Sequence, residues 1–255
     1  MRTITFLFGI CVFLTASIPF QPMAQEMPPQ QFVVFEEFVS PADMHEFARV
    51  QDRIFEVWDK NNMDLTIYCY RNDENAFYWV FPISSFASID TLLEKSMGLQ
   101  AKMVEEGFDF ERDFRDLSTG RQTIIRWIPE LSYHPTGKFG QTPEDIFVEF
   151  TFCYMRSGHE KEAGEAIKKY IDFYNSIDET YDWDVYATIM GHDTPMWIVM
   201  VRAENELALR KLENDLDEKH GGEFNEMWFE FSKHVRRFEN KKGWFLPGWS
   251  RNLPE

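Results

Sequence analysis

The stretch "WIPELS" at residues 127–132 is matched 118 residues later by "FLPGWS" at residues 245–250. Each stretch follows β-prone residues, places a proline after an aromatic and an aliphatic residue, and ends in serine. Proline ends a strand because it has no N–H to donate and its ring fixes φ. The chain is therefore predicted to contain two units that leave their last strand in the same way.

Working outward from these two stretches, the element order in each half is predicted to be β-α-β-β-α-β, from alternating and helical apolar spacing. The first half has predicted strands at 32–39, 63–71, 76–83 and 122–128, with helices starting after Ser40 and at Ser88. The second half has predicted strands at 146–155, 183–190, 195–201 and 244–246. Its first helix follows a Ser157–Glu160 capping box, and Gly221-Gly222 is predicted to break the second helix in two.

The predicted domain organisation is a first repeat at 31–135, a Pro/Gly-rich linker at 136–145 and a second repeat at 146–255. The offset between the repeats is 115 residues in the first strand and 118 in the second strand and at the closing stretch. Such differences are expected to fall in turns, because turns tolerate insertions.

The first 24 residues have the pattern of a secretory signal peptide: a basic start, an apolar run and a small residue before polar sequence. Cleavage is predicted after Ala24, with Ala16 as the alternative, and an uncleaved membrane anchor is the competing interpretation. Export makes the mature protein periplasmic or extracellular, without stable membrane insertion after cleavage.

The composition argues against several classes of partner and site. The formal net charge is −17 at pH 7, which repels nucleic-acid phosphates and anionic lipid surfaces, so no nucleic-acid partner is expected. No CxxC, HExxH, GxGxxG, GxSxG or P-loop pattern occurs, and no metal site is predicted. Beyond the signal segment only Cys69 and Cys153 remain, which is too few for a disulfide framework.

Two β-α-β-β-α-β units in one chain resemble the dimeric α+β barrel superfamily, a ferredoxin-like group that includes NIPSNAP-type and antibiotic-biosynthesis-monooxygenase-like proteins. The resemblance covers about 31–135 and 146–254 and rests on element order and tandem duplication. It implies that two four-stranded sheets pack face to face and close a pseudo-dimeric α+β barrel with the helices outside. The fold class expected is thus α+β, with two ferredoxin-like repeats in one chain.

Strand alternation then predicts which side chains enter the barrel. The polar and aromatic faces give ligand-binding candidates at Thr66, Tyr68, Tyr70, Tyr186 and Thr188. Three carboxylates are catalytic candidates on the same reasoning, Glu36, Glu149 and Asp184, since a carboxylate in an aromatic cavity has a raised pKa and can act as a general base. Cys69 is predicted to face the helices and Cys153 the interior, so no bridge between them is expected.

The histidines give weaker signals. His234 lies at the edge of an apolar helical face, and the resemblance makes it the haem candidate because some relatives bind haem through a helical histidine; a packed or capping role is the alternative. His45, His159, His192 and His220 are predicted at exposed helix ends or turns, and His134 in the linker. No histidine pair has metal-ligand spacing.

The favoured function is binding of a small, partly apolar ligand in the barrel lumen, without a required cofactor. One alternative is a cofactor-independent monooxygenase-like or haem-acting enzyme that uses Glu36, Glu149 or Asp184 as its base. The other is a structural or interaction protein with a solid barrel. The sequence leaves open the ligand, the oligomeric state and whether the protein is an enzyme.

Overall fold

The computed structural model describes residues 30–135, 144–177 and 181–253. The predicted signal peptide at 1–24, with both of its cleavage sites, and residues 136–143 of the predicted linker lie outside this part of the chain. The elements of the first half are β1 (Gln31–Val39), α1 (Met44–Lys60), β2 (Tyr68–Asn72), β3 (Ala76–Ile83), α2 (Ser88–Glu105), α3 (Phe110–Asp113) and β4 (Ser118–Trp127). Those of the second half are β5 (Phe147–Met155), α4 (Glu160–Ser176), β6 (Asp184–Met190), β7 (Met196–Ala203), α5 (Glu206–Ser232) and β8 (Val235–Phe245).

The strands of the described chain form one closed antiparallel barrel in the order β1-β3-β2-β8-β5-β7-β6-β4. Each half supplies four adjacent strands, β4-β1-β3-β2 and β8-β5-β7-β6, which is the strand order of a ferredoxin-like unit. Two seams, β2 with β8 and β4 with β6, join the halves and remove every sheet edge. The predicted fold class, an α+β barrel built from two ferredoxin-like halves, is confirmed.

The repeated closing stretches hold these seams in place. The Ser132 hydroxyl accepts the Val185 N–H of β6 at 2.9 Å and donates to the Ile128 carbonyl at 2.9 Å. The Ser250 hydroxyl accepts the Cys69 N–H of β2 at 2.9 Å and donates to the Leu246 carbonyl at 2.9 Å. Each serine therefore links the end of one half to the second strand of the other half.

The helices pack against the outer face of the barrel through aromatic clusters. In the first half, Phe47 of α1 lies 4.8 Å from Phe77 of β3 between ring centroids, and both are fully buried. In the second half, Tyr174 of α4 packs on Trp183, next to β6, with ring centroids 5.3 Å apart. Large buried rings of this kind contribute much of the burial energy of a core.

The register between the halves differs from the prediction in the first strand. Glu36 pairs with Tyr78, and Tyr154 pairs with Met196, so β1 and β3 correspond to β5 and β7 with a displacement of 118 residues. The predicted offset of 115 is therefore wrong there, and the predicted inner and outer faces of β5 are also reversed. The physical reason is that the lumen is as apolar as the outer face, so hydrophobicity alone did not distinguish them.

Three local predictions are also wrong. The helix α5 continues through Gly221-Gly222, because Leu209, Leu216 and Phe231 are buried along it and outweigh a glycine cost of about 1 kcal/mol per residue. The strand β8 is longer than predicted. The N-cap of α4 is His159 without a side-chain hydrogen bond, so Ser157 does not cap that helix.

Cys69 and Cys153 are both buried and free. They belong to different outer clusters, Cys69 under the helices of the first half and Cys153 under those of the second. The predicted inward orientation of Cys153 is therefore wrong. Within the described residues, no helix combines the length and apolarity needed to cross a membrane.

Candidate ligand cavity in the barrel

The barrel encloses a cavity of about 160 Å³ whose wall is mostly apolar. Its apolar lining consists of Phe32, Val34, Val80, Ile125, Phe150, Phe152, Met196, Ile198 and Met200. An engineered apolar cavity of about 150 Å³ in another protein stays dry and binds benzene. The lumen therefore has the size and surface to hold one small ring or a short branched chain.

A wider polar cavity of about 490 Å³, here called the mouth, lies at the end of the barrel where the β2–β3 and β6–β7 turns meet. The mouth shares Glu36, Tyr78, Phe152 and His192 with the lumen, so the two cavities are adjacent and share a wall. Its charged side chains are Glu36, Glu74, Arg121, Asp193, Arg237, Glu239 and Lys241. Both signs of charge therefore surround the entrance.

Asp184 stands at the far end of the lumen, on the first residue of β6. Trp127 Nε1 donates to its Oδ1 at 2.8 Å, His134 Nε2 lies 2.9 Å from the same oxygen, and Arg202 Nη1 lies 2.5 Å from Oδ2. Burial would raise the pKa of Asp184, but the charge of Arg202 and the hydrogen bond and charge of His134 outweigh it and lower the pKa to about 2. Asp184 is therefore an ionised anchor rather than a general base.

Three tyrosines surround this end of the lumen: Tyr68 and Tyr70 on β2, and Tyr186 on β6. Burial raises the pKa of all three hydroxyls, while the charge of Arg202 partly opposes this. The hydroxyls consequently stay protonated at neutral pH and can donate hydrogen bonds. Arg202 is itself held in the charged form, since the charge and hydrogen bond of Asp184 raise its pKa against the effect of burial.

At the junction with the mouth, the Glu36 carboxylate accepts hydrogen bonds from the guanidinium of Arg121 on β4. Because its carboxylate is held in this ion pair, Glu36 is less suited to act as a general base than an unpaired carboxylate would be. His192 is nearby, with its ring stacked on Phe152 at 6.4 Å between centroids. Burial, followed by the positive charge of Arg121, lowers the pKa of His192, so its ring is neutral at pH 7. In the described structure its Nε2 atom is buried and has no hydrogen-bond partner.

The structure brings five of the predicted site residues to the lumen wall: Glu36, Tyr68, Tyr70, Asp184 and Tyr186. Thr188 faces the same way, and its buried hydroxyl has no hydrogen-bond partner among the described residues, but it does not line the cavity. Thr66 is a wrong placement: it precedes β2, and its hydroxyl donates to the Asn252 carbonyl at 2.9 Å. The strand predicted to start at 63 starts only at Tyr68. In the segment before it, the Asn252 side-chain amide donates hydrogen bonds to the carbonyls of Met63 and Leu65.

Glu149 is also wrongly placed. It lies on the outer face of β5 and forms an ion pair with Arg210 of α5. The reversed face of β5 explains the error. Glu149 is therefore remote from the lumen.

His234 does not fit a haem role in this structure. It lines neither cavity, and its Nδ1 is 3.1 Å from Nδ1 of His159, at the start of α4. The outer layer beneath α4 and α5 is filled by packed aromatic side chains. We therefore assign no haem to His234. Within the described residues, no group of three or more His, Cys, Asp or Glu side chains could hold a metal ion.

Four residues of the site were not predicted from the sequence: Trp127, His134, His192 and Arg202. His192 was expected in an exposed turn, and His134 in the linker, yet the side chain of His134 is only 3% exposed against Asp184. Arg202 had a usable signal: it continues the two-residue spacing of Met196, Ile198 and Met200, but the predicted strand ended at 201, two residues before β7 ends. His134 and His192 had no such signal in the sequence, because their burial depends on residues that are distant along the chain.

The fold and this cavity place the chain among the ferredoxin-like α+β barrels, and solved structures support that class. It is similar to an anthrone oxidase-like protein (TM-score 0.56, 11% identity, covering 85% of this chain and 92% of the other). It is also similar to a putative monooxygenase from Lactobacillus acidophilus NCFM (TM-score 0.52, 12% identity, 85% and 93% covered). A variant of chlorite dismutase from Candidatus Nitrospira defluvii is a third (TM-score 0.50, 12% identity, 85% and 91% covered).

These similarities show the fold of the chain and leave its activity open. These solved structures share the barrel fold with this chain, which agrees with the fold that the resemblance implied. No family model and no curated protein matches the sequence. The NIPSNAP likeness and the tandem duplication stay predictions.

Proposed function

We propose that the protein binds one small, largely apolar molecule in the barrel lumen. The observation that carries this proposal is the cavity of about 160 Å³ inside the barrel, with an aromatic and aliphatic wall. Burial of apolar surface is worth roughly 25 cal/mol per Å², so a ligand that fills this space gains affinity from the wall alone. A solid barrel, the structural alternative, would have side chains in this space.

The mouth is the entrance that the geometry supports, because it shares Glu36, Tyr78, Phe152 and His192 with the lumen. The Glu36–Arg121 ion pair lies at this junction, where the Arg121 side chain is 45% exposed and the Glu36 side chain is 7% exposed. A ligand of the proposed kind would pass between this pair and His192.

Filling the lumen tests the proposal. Val80 lines the cavity from β3, so Val80→Phe should place a ring in the space that the ligand uses. We expect toluene to bind to the wild-type protein and its affinity to fall more than tenfold in this variant, as measured by NMR titration. Val104→Phe is the matched control, since Val104 lies on α2 and is 57% exposed. Equal toluene affinity in all three proteins, or no binding to the wild type, would refute lumen binding.

A second candidate function, oxygenase-type chemistry on the bound molecule, is favoured by one further observation. His192 presents a neutral ring with an unpartnered Nε2 at the edge of the lumen, within the part of the chain described, and such a nitrogen can take a proton from a ligand. The anthrone oxidase-like and putative monooxygenase structures agree with this chemistry. The carboxylate bases proposed from sequence are less suitable, because Glu36, Glu149 and Asp184 are all in ion pairs.

Oxygen uptake tests this second candidate. The molecule that co-purifies with the protein from its own host would first be identified by native mass spectrometry and then added back under air. We expect His192→Phe to lower the rate of oxygen uptake by at least a hundredfold, consistent with loss of a general base. His45→Phe is the control, since His45 is exposed on α1. Uptake that is absent in the wild type, or unchanged in His192→Phe, would leave the protein as a binder only.

A further inference from the structure

Resting on the proposed lumen binding, we propose that the ligand is a small carboxylic acid whose carboxylate is bound at the Asp184 end of the lumen by Arg202, Tyr70 and Tyr186. The apolar part of the molecule would then occupy the space between this end and the mouth. This assigns a chemical class and an orientation to the ligand.

The first observation is an unused donor on Arg202. Its side chain is only 5% exposed and lines the lumen, yet its Nε–H has no hydrogen-bond partner among the described residues. Buried donors in native proteins are almost always paired, because an unpaired one loses the hydrogen bond that it made to water. An acceptor group supplied by the ligand would complete the guanidinium.

The second observation concerns which N–H donors of Arg202 are used by Asp184. Its Oδ1 is shared by Trp127 and His134, and its Oδ2 contacts the Nη1 group of Arg202. A guanidinium has five N–H donors, and its Nη2 group here lies 3.5 Å from the sulfur of Met200, which is a weak acceptor. Asp184 therefore fixes the orientation of Arg202 through Nη1, and the Nε–H donor is left without a partner among the described residues.

The hydroxyls of Tyr70 and Tyr186 add two more donors beside the same guanidinium. Both interact with Arg202 and both line the lumen, where Tyr70 is buried and Tyr186 is partly buried. The Asp184 end of the lumen thus combines the guanidinium of Arg202, held by Asp184, with two tyrosine hydroxyls.

The shape of this group of donors favours a carboxylate. A planar guanidinium matches the two oxygens of a carboxylate, and charge-assisted bonds of this kind are about twice as strong as neutral ones. The cavity volume of about 160 Å³ then limits the remainder of the molecule to about one six-membered ring.

Three probes separate the carboxylate subsite from lumen binding itself: toluene, benzamide and benzoate. In the wild-type protein we expect benzoate to bind at least tenfold more tightly than benzamide, which has the same shape but no charge. The variant Arg202→Gln should lose this preference and keep its affinity for toluene. If that variant does not fold, the double variant Tyr70→Phe/Tyr186→Phe serves instead, because it removes only two hydroxyls and should reduce the preference at least threefold.

The outcomes are distinct. If toluene binds but benzoate is no tighter than benzamide, the subsite is refuted and lumen binding stands. If a benzoate preference survives unchanged in both the Arg202 and the tyrosine variants, the carboxylate binds elsewhere and the subsite is again refuted. If no probe binds to the wild type, lumen binding fails and the subsite fails with it.

Discussion

Replacing Arg202 by methionine should lower the free energy of unfolding by about 3–5 kcal/mol, the typical cost of removing one partner from a buried ion pair. The Asp184 and Arg202 side chains are 3% and 5% exposed, so water cannot take the place of the missing guanidinium. Methionine keeps a similar length and leaves the Asp184 charge in an apolar lumen. Urea denaturation followed by circular dichroism measures the difference.

The double variant Asp184→Leu/Arg202→Met is the matched control for this change. Removing both charges together avoids the unpaired carboxylate, so the double variant should be more stable than Arg202→Met by at least about 1–2 kcal/mol. Full recovery is not expected, since Trp127 and His134 lose the acceptor that Asp184 provides. A double variant less stable than the single one would show that the ion pair is not what stabilises this end of the barrel.

Acid titration should show how the Asp184–Arg202 ion pair contributes to the stability of the fold. The pKa of Asp184 is lowered to about 2 from an ordinary 3.8, so its contribution to stability is complete above about pH 4 and is lost as the pH falls towards 2. In Arg202→Met the main lowering influence is gone and burial dominates, so the carboxyl should protonate at higher pH. The variant should then become less sensitive to acid between pH 4 and 2 than the wild type.

Replacing Gly191 by valine should also be severe, at about 2–5 kcal/mol of unfolding free energy. Gly191 has φ of +114°, and a Cβ there would lie 2.5 Å from the Gln122 carbonyl and 2.8 Å from the Thr123 Cα. Both neighbours are backbone atoms of β4, so the β6–β7 turn would have to move. His192 is the next residue, and ligand binding at the junction with the mouth should weaken together with stability.

Gly222→Ala is the contrasting control. Gly222 lies inside α5, where a Cβ would point into open space, and alanine favours a helix over glycine. This variant should be more stable than the wild type by about 0.5–1 kcal/mol. If Gly191→Val unfolds at the same urea concentration as the wild type, the tight approach of the turn to β4 is not required.

The barrel could be predicted from sequence because its determinants are local. Strand alternation in β2 and β6 correctly predicted which side chains point into the lumen: Tyr68, Tyr70, Asp184 and Tyr186. The paired "WIPELS" and "FLPGWS" stretches correctly indicated two equivalent strand exits, whose serines bind the opposite half.

The rest of the site could not be predicted because it depends on pairing across the barrel. The inner face of β5 carries Phe150 and Phe152, which look like helix-facing residues until the opposite sheet is known. The burial of His134 requires Asp184, fifty positions away in sequence. The position of the His192 ring at the edge of the lumen likewise depends on Phe152, which lies on β5.

The displacement of 118 residues between the halves has a consequence for stoichiometry. By that displacement Asp184 corresponds to Thr66 and Arg202 to Ser84, neither of which lines the lumen. A barrel assembled from two identical chains would repeat every such group across its twofold axis, which here runs along the barrel, so two copies of each group would stand at the same end. In this chain the Asp184–Arg202 pair occurs once at its end of the lumen, and one guest per chain in a single direction is the expected ratio.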